Sequence, residues 1–107
     1  MKKNKDLKVV IVISTFDDLI SNNLLEGATN KFIDLGGDNK NLSIVSVPGA
    51  FEIPGAVTQV LNSKKDINAI VTLGCVVKGK TAHFEYISSS VTDSLSQIST
   101  NAKIPII

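Results

Sequence analysis

The segment from Leu7 to Ser14 constrains the fold more than any other part of the chain, because it is β-branched and apolar almost throughout. A continuous run of this kind is typical of a strand that is covered on both faces in a parallel sheet. Basic residues precede it, but the apolar stretch from Val9 to Ile13 is too short for the central region of a signal peptide. Leu7 to Ser14 is therefore predicted to be the first strand of a buried sheet.

Further strands alternate with segments in which apolar residues recur every three or four positions, as on one face of a helix. The predicted strands are Leu7 to Ser14, Leu42 to Val47, Asn68 to Leu73 and a fourth beginning at Ile104. The predicted helices begin at Asp17 or Asp18, at Pro54 and at about Ala82. The first helix stops at Gly36-Gly37 and the last at Asn101. Alternation with short connections predicts right-handed βαβ units, and so an α/β fold with a parallel sheet.

The composition of the chain limits the kinds of function that it can have. The 107 residues suit one domain, and a net charge of +1 gives no field that would attract nucleic acid or a membrane surface. One cysteine and one histidine are too few for a disulfide or a zinc site, which favours a reducing cytoplasm. All the basic residues are lysines, so any anion site must do without the bidentate contacts of arginine.

Residues able to carry chemistry cluster where the predicted strands end. Ligands of open parallel sheets bind beyond the carboxyl ends of the strands. Those ends are Ser14 to Phe16, Val47 to Glu52 and Gly74 to His83. The sequence therefore predicts a small-molecule site at this edge of the sheet.

Two residues of these turns have both a structural and a functional interpretation. Phe16 either packs under the next helix or offers a stacking surface for a flat heterocycle. Glu52, held in a turn between prolines, either complements the dipole of the following helix or accepts hydrogen bonds from a ligand.

The segment from Gly74 to Thr81 matches the P-loop pattern GxxxxGK[ST]. Val76-Val77 is stiffer than a phosphate-wrapping loop requires, and no later strand supplies a Mg²⁺-binding aspartate. P-loop nucleotide binding is therefore a remote alternative. Lys80 and Thr81, at a predicted helix start, remain candidates for holding one phosphate group.

His83 is the only histidine. A lone histidine at a helix start is more often a surface residue than a catalyst, but this one lies two positions from Thr81, where it could reach both a phosphate and a reacting amine. Cys75 and Tyr86 are predicted to be packing residues rather than nucleophile or acid, because neither has an evident base partner.

Taken together, three segments resemble the lumazine synthase family. They are Phe16-Asp17-Asp18 ahead of Leu24 to Ala28, Val47 to Pro54, and Gly74 to Tyr86. The resemblance implies an enzyme, a transferase of riboflavin biosynthesis. It condenses 5-amino-6-(D-ribitylamino)uracil with 3,4-dihydroxy-2-butanone 4-phosphate and needs no metal or organic cofactor.

Residue roles follow from the resemblance by motif position. Phe16 would stack on the pyrimidine, while Ala50, Phe51 and Glu52, with Cys75, Val76 and Val77, would line the uracil and ribityl site. Lys80 and Thr81 would hold the phosphate, and His83 would transfer protons. The family usually has arginine where Lys78 stands, and often an acidic or small residue where Lys80 stands, so the local charge differs from the family's pattern.

The resemblance also implies a three-layer, flavodoxin-like fold, in which a parallel sheet of strand order 2-1-3-4 has helices on both faces. It further implies a homo-oligomer, either a pentamer or an icosahedral shell of pentamers. It covers residues 1–107 as a single domain that is incomplete at its C-terminus, since the family's later arginine, lysine and aromatic residue lie beyond Ile107. A truncated, inactive fold that only binds ligand or partner subunits is therefore the main alternative to a working enzyme.

Overall fold

Three of the four predicted strands and the three predicted helices form where the sequence predicts them. The computed structural model describes residues 3–63, 66–78 and 83–107. Its elements are β1 (Val9–Ser14), α1 (Asp18–Asp34), β2 (Leu42–Val47), α2 (Ile53–Ser63), β3 (Ala69–Leu73) and α3 (His83–Asn101), with 3-10 turns at Asn4–Asp6, Asn39–Asn41 and Ala50–Glu52. Each strand begins within two residues of its predicted start and ends at the predicted residue.

The strands form one parallel sheet of order β2-β1-β3. Val9, at the start of β1, pairs with Leu42 on one side and Ala69 on the other. β1 is the central strand, and it is buried from Val10 to Ser14. This confirms the predicted α/β, flavodoxin-like parallel sheet and the position of the first strand within it.

The predicted fourth strand is not formed as a strand. Instead, one isolated parallel bridge joins Ile106 to Ile70 on the outer side of β3. The Ile70 N–H donates to the Pro105 carbonyl over 3.0 Å, and the Ile107 N–H donates to the Ile70 carbonyl over 2.9 Å. Pro105 has no N–H to extend the ladder toward the start of the segment, while on the other side the Thr72 N–H donates to the Ile107 carbonyl over 2.6 Å. The segment therefore runs along the edge in the expected place with a single bridge.

Helices cover both faces of the sheet. On one face, α2 and α3 pack over Val10, Val12 and Ile70, and Val57 of α2 is completely buried there. Successive side chains of a strand point to opposite faces, so Ile11 and Ile13 of β1 face the other side, where α1 contacts β1 and β3. None of the described helices is long and apolar enough to cross a membrane.

α1 is capped as the sequence suggests but buries less of its apolar face than expected. Asp17 is the N-cap, and its carboxylate accepts a hydrogen bond from the Ile20 N–H. After the helix, Gly36 takes a left-handed φ of 98°, which favours glycine. Ile20 and Leu35 stay 37% and 59% exposed, because the buried position on α1 is Ser21, whose hydroxyl donates to the Ser14 carbonyl at the end of β1.

Candidate active site

The first wall of the site is the turn after β1. The Thr15 N–H donates to the Val47 carbonyl over 2.9 Å, which ties the end of β1 to the end of β2. The following residue, Phe16, is 71% exposed. The interpretation of Phe16 as a packing residue under α1 is therefore wrong within this chain, and its ring is available to a ligand.

The second wall is the 3-10 turn Ala50–Glu52 between β2 and α2. Ala50 is buried and anchors the turn, while Phe51 is 62% exposed. The Glu52 N–H donates to the Gly49 carbonyl over 3.1 Å, and a methyl group added to Gly49 would lie 3.2 Å from Glu52 Oε2. The turn therefore fixes the backbone of Glu52, and the carboxylate lies close to Gly49.

The third wall follows β3. Val76 is half-buried and packs against the hydrophobic core, whereas Val77 is exposed. Cys75, between Gly74 and Val76, is a half-buried free thiol. This segment supplies an apolar surface beside the other two turns.

These walls and the first turns of α3 enclose one cleft of about 680 Å³. It is lined by Phe16, Gly49, Ala50, Phe51, Glu52, Cys75, Val76, Val77, His83, Phe84, Tyr86, Ile87 and Ser90. Eight of the ten predicted site residues are in this lining. The other two, Lys80 and Thr81, lie outside the described residues.

α3 contributes more to the cleft than the sequence indicates. His83, Tyr86, Ile87 and Ser90 are spaced at three, four and seven positions along α3, so they lie on one side of the helix and all line the cleft. Tyr86 is 73% exposed and is not buried against other residues of its own chain, so the prediction that it is a packing residue is wrong for the single chain. The spacing from His83 could have identified Tyr86 and Ser90, had the rotation of α3 about its axis been known.

The described lining is mainly apolar and carries little charge. Glu52 is its one carboxylate, His83 is its one imidazole, and no lysine belongs to it. Among the described residues, no group of three or more histidine, cysteine, aspartate and glutamate side chains is arranged to hold a metal ion. The arrangement suits a flat ligand whose ring faces rest on apolar side chains while its polar groups meet a hydrogen-bond acceptor and a proton carrier.

A known protein family matches nearly the whole chain. The model of the 6,7-dimethyl-8-ribityllumazine synthase family matches residues 6–107. The match spans every strand and major helix of the fold and every predicted residue of the site. The chain therefore belongs to the 6,7-dimethyl-8-ribityllumazine synthase family.

Proposed function

We propose that this chain condenses 5-amino-6-(D-ribitylamino)uracil with 3,4-dihydroxy-2-butanone 4-phosphate, forming 6,7-dimethyl-8-ribityllumazine and releasing phosphate and water. Membership of a transferase family of riboflavin biosynthesis supports the reaction. The observation that carries the proposal is the cleft, which collects side chains from three separate turns and from α3. A site built this way holds two substrates together, which is the main requirement of a condensation.

The pyrimidine is proposed to bind between Phe16 and the segment Cys75 to Val77. The Phe16 ring is exposed and lines the cleft, so it offers a face on which a flat heterocycle can stack. The opposite partner is a short apolar segment whose backbone N–H and C=O groups can pair with the polar edge of a uracil.

The ribityl chain is proposed to bind along the turn Ala50–Glu52. A polyol needs hydrogen-bond acceptors, and Glu52 is the carboxylate of the described lining. Its backbone is fixed by the 3-10 turn and the hydrogen bond to Gly49, so only the side chain remains to be ordered on binding.

His83 is proposed to move the protons of the reaction. An amine first attacks the ketone and loses water to form an imine; phosphate then leaves as a neighbouring C–H proton is removed; the second nitrogen finally closes the ring with loss of water. Each step needs a proton taken up or given away near neutral pH, which an imidazole can do. His83 lines the cleft at the start of α3, within the same site as Phe16 and Glu52.

Lys80 and Thr81 are proposed to hold the phosphate, as the motif position implies. They immediately precede Ala82 and His83 in the sequence, so a phosphate held there would lie near the imidazole. A lysine supplies a charge-assisted hydrogen bond and a threonine a neutral one.

Replacing Phe16 with alanine should raise the KM for the aminouracil substrate about tenfold, because a stacking partner of its ring is lost. The free energy of unfolding should hardly change, since Phe16 is already 71% exposed. Leu19→Ala is the matched control, because Leu19 is 72% exposed, lies three residues away and does not line the cleft. Steady-state lumazine formation and urea unfolding measure both effects. Equal KM values for the two variants would count against stacking on Phe16.

The chain is further proposed to work as a homo-oligomer with its clefts close to subunit contacts. Phe51 and Tyr86 line the cleft with 62% and 73% of their surfaces exposed. Exposed aromatic rings that adjoin one another at a cleft form the kind of apolar surface that a ligand or a neighbouring subunit covers. Sedimentation velocity at micromolar concentration should give a species larger than the 11.4 kDa chain, and Phe51→Ser should shift it toward monomer. A wild-type protein that sediments as a monomer would contradict this proposal.

A further inference from the structure

Lys78 is held against the wall of the cleft without belonging to its lining. Its Nζ lies 5.8 Å from the centroid of the Phe84 ring, within the range of a cation–π contact. Phe84 lines the cleft, and so does Val77, the residue before Lys78. The ammonium group is therefore placed at the edge of the site, although the side chain as a whole is exposed.

The described lining of the cleft contains no cation, and Lys80, the lysine proposed above to hold the phosphate, lies outside the described residues. Its one carboxylate, Glu52, would repel a phosphate dianion, and no lysine is part of the described lining. The chain contains no arginine. A positive charge that lies at the wall of the cleft would counter the negative charge of Glu52 and attract an anionic substrate.

We propose that Lys78 is a specificity-determining residue for the phosphorylated substrate, and that the Phe84 ring positions its ammonium group for that task. The inference rests on the proposed function for the identity of the substrate. A lysine suits the role because its flexible stem lets the ammonium group leave the ring and follow a phosphate. The exposed cation–π contact is weak enough to be exchanged for a charge-assisted hydrogen bond.

The first test uses inorganic phosphate, so it does not depend on catalysis. Phosphate is titrated into the isotopically labelled chain, and its affinity is read from the NMR shifts of the His83 ring. Lys78→Met keeps the length of the stem and should weaken phosphate binding about threefold to tenfold, since a partly exposed ionic contact is lost. Lys78→Arg keeps the positive charge and should bind phosphate at least as tightly as the wild type, because a guanidinium group also stacks on an aromatic ring and can pair with two phosphate oxygens.

Two further variants separate charge at the cleft from charge in general. Phe84→Leu keeps the ammonium group of Lys78 but removes the aromatic ring that it contacts, and should weaken phosphate binding less than Lys78→Met does. Lys103→Met is the matched control, because Lys103 lines a different groove between α2 and α3. It should leave phosphate affinity unchanged. Equal phosphate affinity in Lys78→Met and the wild type would overturn the inference.

Steady-state kinetics distinguish the failure of this inference from the failure of the proposed function. In Lys78→Met, the KM for the butanone phosphate should rise threefold to tenfold while kcat and the KM for the aminouracil stay unchanged. The difference should shrink as salt screens the charge. If phosphate binding depends on Lys78 but no lumazine forms, the proposed function is wrong and the phosphate contact stands. If lumazine forms and the KM for the butanone phosphate is unchanged in Lys78→Met, the inference is wrong and the proposed function stands.

Discussion

His83→Ala should lower kcat for lumazine formation about 100-fold, the loss typical of a missing acid–base group. His83 lies at the start of α3 and lines the cleft shared by Phe16 and Glu52, so it is placed to serve substrates bound there. The KM values should change little, because the imidazole acts on the reacting atoms rather than on binding. A smaller fall would mean that holding the two substrates together supplies most of the rate.

The matched control for this prediction is Glu85→Gln. Glu85 is an exposed residue in the same turn of α3, but it does not line the cleft. Its kcat should equal that of the wild type, which would show that the loss in His83→Ala is not a general disturbance of the helix. EDTA should leave the rate unchanged in all three proteins. A kcat for His83→Ala within about twofold of the wild type would remove His83 from the mechanism.

The same assays exclude or establish the P-loop alternative. In a nucleotide triphosphatase, Lys80→Ala would abolish activity and His83→Ala would matter little, because phosphoryl transfer depends on the lysine and Mg²⁺. In a lumazine synthase, Lys80→Ala should mainly weaken phosphate binding. The half-buried Val76 packs against the core, which argues against a loop free to wrap a triphosphate. Magnesium-dependent ATP hydrolysis that disappears in Lys80→Ala would overturn the assignment.

The order and ends of the strands could be predicted because continuous β-branched runs have few other stable environments. β1 is the best case, since the uninterrupted run that ends at Ser14 becomes the buried centre of the sheet. The exposure of Ile20 and Leu35 could not be predicted, because helical spacing shows which side chains share a face but not how closely that face meets the sheet. The position of the last segment beside β3 could be predicted, but its reduction to a single bridge at Ile106 could not.

The residues of the cleft that come directly after the strands could be predicted from the sequence. Phe16, Glu52 and Val77 each come shortly after the end of a strand, and parallel strands bring such ends to one edge. Tyr86 and Ser90 escaped prediction because they come from the side of a helix, where the rotation of α3 about its own axis decides which residues reach the cleft. That rotation is set by tertiary packing of residues such as Ile87 against the core.

Gly74→Ala is expected to have the largest effect on stability. A methyl group at this position would lie 2.8 Å from Ser14 Oγ and 3.0 Å from Ile53 Cδ1. Ser14 is 1% exposed on the central strand and Ile53 is 3% exposed, so neither can move aside cheaply. The free energy of unfolding, measured with urea, should fall by about 1–3 kcal/mol, as is typical of overpacking. Gly55→Ala is the control, since nothing lies within 4 Å of its added methyl group and the change should stabilise α2 by up to about 1 kcal/mol.

Ser14→Ala identifies the cause of that loss. Among the described residues, Ser14 Oγ is buried without a hydrogen-bond partner, so its removal alone should be neutral or should raise the free energy of unfolding by about 1 kcal/mol. It also removes the nearer of the two clashing atoms. The double variant should therefore recover part of the stability lost in Gly74→Ala, a coupling that distant sites would not show. Strict additivity of the two changes would mean that the clash with Ser14 is not what makes glycine necessary.

Because Gly74 leads directly into Cys75 to Val77, the same clash should move the apolar wall of the cleft. The KM for the aminouracil should then rise in Gly74→Ala and fall back in the double variant, which would link the packing at the end of β1 to the shape of the pyrimidine site.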